Sequence, residues 1–227
     1  MPIPWLLIDF DSTFVTAESL ELLGEIALRE RPVADREARL ADIRDLTARA
    51  MAGRLAFAEA LARRFELLEP RADQLPALVE ALKARVSPSF RRHAGFLRRH
   101  AERIYIVSAG FHETIAPVVG DYGIAPDHVL ANPLVRLEDG RLGFDAAYPL
   151  AADGGKVAVV RALGLGGPAV AIGDGMSDLE LGTSDVCHDF LAYTETVERP
   201  EVTRQARRTA ADFDAVLAAL GIDETSA

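Results

Sequence analysis

This sequence predicts an α/β fold, in which an open parallel sheet forms the core and a small helical cap is inserted after the first strand. Four short apolar runs, each bounded by turn residues, have the composition of buried parallel strands: residues 5–8, 104–107, 169–172 and 185–190. The interval between the first two runs is much longer than a crossover requires, and it is rich in Ala, Leu, Arg and Glu at helical spacing. We therefore expect a core of residues 1–15 and 85–227 and a cap of residues 16–84.

Further elements complete the predicted fold. Within the cap, helical patterns cover residues 36–51 and 57–68, with Gly53 and Pro70 as helix breakers. Later in the chain, the Asp-Gly pair at 139–140 lies between two apolar runs and predicts a hairpin. Residues 210–220 have the amphipathic pattern of a closing helix.

The composition is that of a globular protein with a sizeable core, since 49% of the 227 residues are hydrophobic and 26% are charged. Acidic residues outnumber basic ones by 35 to 25, and the formal charge of −10 argues against a broad nucleic-acid surface. The single cysteine, Cys187, excludes an intramolecular disulfide framework and is expected to be a buried structural thiol. No apolar run approaches the roughly 20 residues that span a bilayer, and no signal-peptide pattern is present. We therefore expect a cytoplasmic protein without membrane or nucleic-acid partners.

Polar and small residues directly follow three of the predicted strands. They are Asp9-Phe10-Asp11, Ser108-Ala109-Gly110 and Gly173-Asp174-Gly175. The carboxyl ends of parallel strands meet at one edge of an open sheet, and ligands bind there. These three segments therefore predict a single functional site.

The residue types in these segments suit chemistry on a phosphate. One carboxylate of the pair Asp9 and Asp11 can attack phosphorus, while the other, when protonated, donates to the leaving oxygen. The same Asp-x-Asp pattern also binds metals in unrelated transferases or caps a helix, so its place at a strand end is what favours catalysis. Ser108 and the N–H groups beside it suit a phosphate cradle, with the alternative that Ser108 only caps the helix expected near His112.

Lys156 and the segment around Asp174 extend the pattern. A cation at a helix start opposes the helix macrodipole, so a phosphate-neutralising role explains Lys156 better than helix stability does. Asp174 is placed as a hard oxygen ligand for Mg²⁺. Asp178 either caps a helix or fixes Lys156 by a charge-assisted hydrogen bond. An exposed lysine and two capping acids are the alternatives.

Taken together, these segments resemble the motifs of the haloacid dehalogenase superfamily, and within it those of the phosphoserine phosphatases. Asp9-Phe10-Asp11-Ser12-Thr13 is similar to the first motif, Ser108-Ala109-Gly110-Phe111 to the second, and Lys156 with Gly173-Asp174-Gly175-Met176-Ser177-Asp178 to the third and fourth. Residues 50–57 resemble the family's cap segment, and residues 131–134 resemble its flap. The resemblance implies a Rossmann-like core and weakens only after about Cys187.

The resemblance also implies roles for individual residues. Asp9 would be the nucleophile and Asp11 the general acid. Mg²⁺ would be held by the Asp9 carboxylate, the Asp11 backbone carbonyl and Asp174. The residues implied in binding the phosphorylated end are Ser108, Ala109, Gly110, Lys156 and Ser177, with Asp178 supporting Lys156.

Four cap residues are implied in recognition of the rest of the substrate. Glu18 matches the position that meets an amino group and Arg64 the position that meets a carboxylate, while Met51 and Phe57 match apolar positions that exclude water. The alternatives are a solvated helix face for the charged pair and plain core for the apolar pair. One acid for an ammonium and one guanidinium for a carboxylate indicate an amino-acid phosphate.

The sequence thus predicts Mg²⁺-dependent hydrolysis of O-phospho-L-serine through an aspartyl-phosphate, a reaction of serine biosynthesis, by a monomer or a homodimer. Departures from the family pattern bear on the substrate. Ala109 replaces a glycine, Ser177 stands where relatives carry Asn or Thr, and residues 193–196 lack an expected glycine. The open alternatives are another small phosphorylated metabolite, transfer of phosphate to an acceptor alcohol, a phosphometabolite-binding protein without turnover, and a pure interaction module.

Overall fold

The structure is a computed structural model that describes residues 3–223. Its strands are β1 (Trp5–Ile8), β2 (Ile104–Phe111), β3 (Val129–Asn132), β4 (Leu134–Arg136), β5 (Leu142–Phe144), β6 (Ala169–Gly173), β7 (Asp189–Tyr193) and β8 (Arg208–Ala210). Its helices are α1 (Ser19–Ala27), α2 (Val33–Met51), α3 (Phe57–Leu68), α4 (Leu75–Lys83), α5 (Pro88–Arg92), α6 (Ala94–Arg99), α7 (His112–Val119), α8 (Gly155–Leu163), α9 (Met176–Thr183), α10 (Pro200–Thr203) and α11 (Phe213–Leu220). Within that range, none of the helices combines the length and the apolar character that crossing a membrane requires.

Six of the strands form an open parallel sheet in the order β3-β2-β1-β6-β7-β8. β1 lies in the interior of this sheet, with Leu6 and Ile8 in one apolar cluster and Leu7 in the other. These three residues are at most 1% exposed, because the sheet is covered on both faces. The predicted α/β class with a Rossmann-like parallel core is confirmed.

The predicted strand bounds are correct for β1 and need correction elsewhere. β2 and β6 begin where expected, but β2 continues to Phe111 and β6 to Gly173. The strand expected over residues 185–190 is wrong, since β7 begins only at Asp189. The preceding residues form a turn after α9, in which Cys187 N–H donates to Ser184 O over 3.4 Å. β3 and β8 are not among the predicted strands.

Cys187 therefore lies before a strand and not at its end. The side chain is half-buried and packs against the apolar cluster that contains Leu7 and Phe190. Burial raises the pKa of its thiol to about 12, so the thiolate is disfavoured near neutral pH. These surroundings agree with a structural role for the cysteine.

The four helices α1–α4 form an insert between β1 and α5. The chain enters and leaves this insert side by side, because Val15 and Val86 form an antiparallel bridge and Thr16 N–H donates to Arg85 O over 2.8 Å. These contacts lie at the predicted boundaries between residues 1–15, 16–84 and 85–227. The division into a core and a cap stays a prediction, and the paired entry and exit support it.

Most of the other local elements lie close to their predicted positions. α3 has the predicted bounds, while α2 begins at residue 33 instead of 36. The Asp-Gly turn joins the antiparallel strands β4 and β5, and Gly140 takes a φ of +79° there. The closing helix α11 begins at residue 213 instead of 210, because Asp212 caps it by accepting a hydrogen bond from Ala215 N–H over 2.8 Å.

Candidate active site

A cavity of about 580 Å³ lies at the carboxyl ends of β1 and β2, between the sheet and the helical insert. Its lining contains the predicted site residues Asp9, Asp11, Glu18, Met51, Phe57, Arg64, Ser108, Ala109, Gly110, Lys156, Ser177 and Asp178. Asp174, which is also predicted, does not line the cavity, because its side chain is fully buried behind the wall. The fold therefore brings the separate sequence motifs to one place.

Lys156 is the centre of a buried charge cluster at this sheet edge. Its ammonium donates to Asp9 Oδ1 and to Asp178 Oδ1, each over 2.6 Å, and the three side chains are 5–7% exposed. Burial alone would lower the pKa of Lys156, but the carboxylates of Asp178 and Asp9 outweigh burial and the pKa is raised. Burial, reinforced by Asp178, raises the pKa of Asp9 well above its ordinary value. Lys156 therefore remains protonated beside Asp9 near neutral pH.

The turn before α8 fixes the position of Lys156. Gly154 takes a φ of +74°, which residues with a side chain rarely adopt. A Cβ on Gly155 would lie 2.1 Å from the carbonyl oxygen of Pro149, so no larger residue fits there. These two glycines hold the first turn of α8 against the core and direct the lysine toward β1.

The chain turns sharply after β1 and sends Asp11 toward the start of α1. Ser12 takes a left-handed φ of +57°, which is uncommon for a residue other than glycine. Asp11 Oδ1 accepts hydrogen bonds from the backbone N–H of Ser19, over 3.1 Å, and from the Ser19 hydroxyl. Burial, reinforced by Glu18, raises the pKa of Asp11 to about 7. A large fraction of this carboxyl therefore carries a proton near neutral pH.

Arg199 is a site residue that the sequence analysis missed. Its Nε donates to Asp174 Oδ2 over 2.6 Å, and its Nη2 lies 3.2 Å from Glu18 Oε1. Asp174 Oδ1 also accepts a hydrogen bond from the Thr13 hydroxyl over 3.2 Å. Burial raises the pKa of Asp174 to about 7, although Arg199 opposes the increase. In the sequence, Arg199 could be noticed only from its place shortly after β7. The predicted end of that strand, residue 190, was three residues short of the observed end at 193.

Three buried carboxylates at the sheet edge could hold a metal ion. One oxygen from each of Asp9, Asp174 and Asp178 lies within 4.8 Å of the others. Carboxylate oxygens are the ligands that hard divalent cations prefer, and a cation would relieve the repulsion between these acids. The donor set therefore fits such an ion. The expected ligands were Asp9, Asp174 and the Asp11 backbone, and the Asp11 side chain does not belong to the observed group. Asp178 does belong to it, but its Oδ1 already accepts a hydrogen bond from Lys156.

The second motif forms the end of β2, which continues through it. Ser108 Oγ accepts a hydrogen bond from Gly110 N–H over 3.0 Å, so its hydroxyl can still donate to a ligand. Ser108 does not cap α7, and that alternative is wrong. A Cβ on Gly110 would lie 3.8 Å from Asp11 Oδ2, so the bare backbone comes close to the Asp11 carboxyl. Asn132 of β3 donates to Ala109 O over 2.9 Å and ties β3 to this end of β2.

Arg64 is a buried cation that makes no ion pair within residues 3–223. It is 4% exposed and donates to two uncharged oxygens, Ala60 O at 3.1 Å and Thr47 Oγ1 at 3.4 Å. Burial lowers its pKa, and the ring of Phe57 lies 5.7 Å from the guanidinium carbon. The carboxylates of Glu18, Asp11 and Glu21 offset part of this effect of burial without forming an ion pair with the guanidinium. Because a buried charge is costly until it is paired, Arg64 at the cavity wall is suited to an anionic ligand. The solvated-face alternative for Arg64 is wrong.

Glu18 occupies the same cavity from the start of α1. Its Oε1 accepts hydrogen bonds from Ser12 Oγ over 2.7 Å and from Arg199 Nη2, and its side chain is 13% exposed. A solvated face is therefore wrong for Glu18 as well. Met51 and Phe57 are half-buried and line the cavity.

Comparisons with known proteins agree with this geometry. The family model of the haloacid dehalogenase-like hydrolases matches residues 6–183. A chloroplastic phosphoserine phosphatase of Arabidopsis thaliana is 30% identical over 216 residues, which are 93% of this chain and 70% of that protein. The phosphoserine phosphatase of Mus musculus is 29% identical, over 93% of this chain and 91% of that protein.

Solved structures show the same fold. A phosphoserine phosphohydrolase-like protein from Francisella tularensis has a TM-score of 0.84 at 24% identity, over 96% of this chain and 99% of that one. A substrate-bound phosphoserine phosphatase complex has a TM-score of 0.75 at 20% identity, over 98% and 99% of the two chains.

The chain belongs to the haloacid dehalogenase-like hydrolases. Members of this family generally use a divalent metal, for which the three buried carboxylates offer a site. Within the family, the protein is a phosphoserine phosphatase-like hydrolase, because its relatives over most of its length carry that name.

Proposed function

We propose that this protein hydrolyses O-phospho-L-serine to serine and phosphate, with Mg²⁺ as cofactor and an aspartyl-phosphate on Asp9 as intermediate. One observation carries the proposal. A single cavity holds a buried carboxylate beside a buried cation, Asp9 with Lys156, and on its cap side a second buried cation, Arg64, which forms no ion pair within residues 3–223. A phosphate ester that also bears a carboxylate matches both ends of this cavity.

In the first half-reaction, a carboxylate oxygen of Asp9 attacks phosphorus, and the bond from phosphorus to the ester oxygen breaks. Lys156 holds Oδ1 of Asp9, while Oδ2 accepts no hydrogen bond in the described part of the chain and is the attacking atom. Asp11 gives its proton to the leaving oxygen, because a pKa of about 7 keeps much of it protonated near neutral pH. Serine is released with its hydroxyl restored.

In the second half-reaction, water attacks the phosphorus of the aspartyl-phosphate and Asp9 is regenerated. Asp11, now a carboxylate, takes the proton of that water. Lys156 and the hydroxyl of Ser108 stabilise the charge on the phosphoryl oxygens in both steps. The helical insert over the cavity excludes bulk water until the covalent bond has formed.

The carboxylates of Asp9 and Asp174, with the backbone carbonyl of Asp11, would hold Mg²⁺. When bound, the ion supplies positive charge that screens the repulsion between Asp9 and the phosphate. Arg199 contacts Asp174 and keeps that carboxylate oriented at the sheet edge.

Recognition of the amino-acid part is assigned to the cap. Arg64 pairs with the substrate carboxylate, because the guanidinium is buried and its hydrogen bonds within residues 3–223 go to uncharged oxygens. Glu18 receives the ammonium group in an orientation set by Ser12 and Arg199. Met51 and Phe57 keep water away from the ester, and Ser177 lines the phosphate side.

Phosphate release from a panel of phosphomonoesters tests the proposal. The panel contains O-phospho-L-serine, glycerol phosphate and an aryl phosphate, each with and without Mg²⁺ and with and without an acceptor alcohol. We expect kcat/KM for phosphoserine to exceed that for the aryl phosphate about a hundredfold or more, because only phosphoserine pairs with Arg64. Arg64→Gln should remove this preference and leave the aryl phosphate rate nearly unchanged. Equal rates on both esters in the unaltered protein would overturn the substrate.

The same panel decides between the alternatives. Transfer of phosphate would appear as a phosphorylated acceptor alcohol, and a binding protein without turnover would release no phosphate from any ester. We further propose the cytoplasm as the location, serine biosynthesis as the context, and a monomer or homodimer as the assembly. Because the Arabidopsis relative is chloroplastic, cell fractionation is the experiment that tests the location.

A further inference from the structure

The amino end of α3 is capped by the core and not by its own segment. Ala56 precedes the helix and has no side-chain oxygen that could cap it. Instead, Phe57 N–H donates to Oδ1 of Asp153 over 3.0 Å, across a separation of 96 residues along the chain. A carboxylate at this position satisfies a free N–H group and complements the positive end of the helix dipole.

Asp153 lies in a tight turn whose conformation depends on two glycines. It precedes Gly154, whose φ is +74°, and Gly155, which packs against Pro149 with no space for a Cβ. The same turn sets the position of Lys156. Asp153 and Lys156 are therefore fixed relative to each other, one reaching the cap and the other reaching Asp9.

The helix that Asp153 caps also carries Arg64. Phe57 and Arg64 are seven residues apart, which is about two turns of a helix, so both side chains lie on the face toward the cavity. Holding the amino end of α3 therefore sets the distance between Arg64 on the cap and Lys156 on the core. These two cations face the opposite ends of the proposed substrate.

We propose that Asp153 is a positioning residue that holds the cap closed over the substrate by capping α3 from the core. The closed cap keeps Arg64 and Lys156 in the wall of one cavity, where a single small phosphorylated molecule can contact both. When the cap opens, α3 loses its capping carboxylate, and closure restores it. The identity of the substrate rests on the proposed function, whereas the bond between Asp153 and α3 does not depend on it.

Steady-state kinetics on phosphoserine test this role with three single variants. Asp153→Ala should raise KM about fivefold, because that factor corresponds to the stabilisation that a typical N-cap residue provides. The same change should alter kcat less than about twofold. Asp153→Asn retains an acceptor oxygen and should keep KM near the original value. The control is Asp145→Ala, since Asp145 is also an exposed core acid, but its Oδ1 accepts from Ala147 N–H within its own loop, over 2.9 Å. An unchanged KM in Asp153→Ala would contradict the proposal.

A double variant separates closure from helix stability. Adding Ala56→Ser to Asp153→Ala gives α3 an uncharged cap of its own without a bond to the core, and Ala56→Ser alone is the control because Ala56 also lines the cavity. Thermal stability should then recover while KM stays high. Recovery of both would assign Asp153 to helix stability alone and overturn the proposal.

Hydrogen exchange of the Phe57 amide gives a readout that does not depend on the substrate. In the Mg²⁺-loaded protein with saturating inorganic phosphate, this amide should exchange about fivefold faster in Asp153→Ala than in the unaltered protein. Equal exchange rates would overturn the proposal that Asp153 caps α3. If phosphoserine is not hydrolysed but the exchange rates differ as expected, the substrate is wrong and the bond between Asp153 and α3 stands.

Discussion

Asp9, Lys156 and Asp178 form a buried line of alternating charge, with the ammonium 2.6 Å from an oxygen of each carboxylate. Three charges are held in so little exposed surface because each is paired, and removal of one leaves another uncompensated. The arrangement holds Oδ1 of Asp9, and Asp9 lines the cavity. At the scale of single residues, this is the basis for assigning the nucleophile to Asp9.

Asp9→Asn is the first prediction at this scale. The amide keeps the shape of the side chain and an oxygen that can accept from Lys156, but it is not a nucleophile toward phosphorus. We expect phosphate release to fall about a thousandfold or more, with the thermal unfolding midpoint largely retained. A folded variant that still releases phosphate would assign the nucleophile to another residue.

Arg199→Gln is the second prediction. Loss of the guanidinium leaves the Asp174 carboxylate, which is fully buried, without its cation. The metal-free protein should lose about 1–3 kcal/mol of unfolding free energy, and Mg²⁺ should reduce that loss, because a bound cation pairs with the same carboxylate. Urea unfolding with EDTA and with MgCl₂ measures both values. A loss of equal size in the two conditions would contradict a link between Arg199 and the metal site.

At the scale of elements, the sequence predicted long and strongly patterned segments best. α3 has the predicted bounds, and its neighbours Gly53 and Pro70 mark those bounds chemically. β3 and β8 were missed because they are four and three residues long, and their few apolar side chains are too short a pattern to separate from a loop. The start of β7 was wrong because Val186 and Cys187 are apolar residues in a turn.

The packing of α9 on β7 gives a prediction at this scale. A Cβ on Gly182 would lie 2.4 Å from Cβ of Phe190, so Gly182→Ala must separate the helix from the strand. We expect a loss of about 1–3 kcal/mol in the free energy of unfolding by urea. The control is Gly95→Ala in α6, where the added Cβ would meet no heavy atom of the described residues within 4 Å, apart from its own helix backbone and chain neighbours. That change should be neutral or stabilising by up to about 1 kcal/mol. Equal unfolding midpoints for the two variants would contradict this packing.

At the scale of the whole molecule, the active site concentrates negative charge in a protein that is already acidic, with a formal charge of −10. Burial raises the pKa of Asp11 and of Asp174 from an ordinary value of 3.8 to about 7. A group that binds its proton more tightly when folded favours the folded state at low pH. This contribution is fully present below the ordinary pKa and is lost as the pH rises to about 7.

The metal-free protein should therefore become less stable between about pH 4 and about pH 7, because Asp11 and Asp174 hold their protons more tightly in the folded than in the unfolded state. Mg²⁺ should reduce the loss, since the ion takes the place of the proton at Asp174. Thermal unfolding near pH 5.5 and near pH 8, with EDTA and with MgCl₂, measures the effect. A midpoint in EDTA that rises over this range would contradict the assignment of buried, proton-binding carboxylates.

The sequence predicted the α/β class with its parallel core, because the strand patterns and the motifs at the strand ends agree. Asp9, Ser108 and Lys156 come from distant parts of the chain, and the parallel sheet places them around one cavity. Arg199 and Asp153 could not be found in this way. Their contacts cross from one element to another, and neither lies in a motif whose spacing reports them.

The most direct test of Asp9 as the nucleophile is to find which residue carries the phosphoryl group during turnover. The Mg²⁺-loaded protein is mixed with O-phospho-L-serine, quenched in acid within one turnover, and digested for mass analysis of the peptide that contains Asp9. We predict one phosphoryl group on Asp9, formed and lost at rates that match phosphate release, and none in Asp9→Asn. Phosphate release without a phosphorylated Asp9, or with the phosphoryl group on another residue, would contradict this prediction.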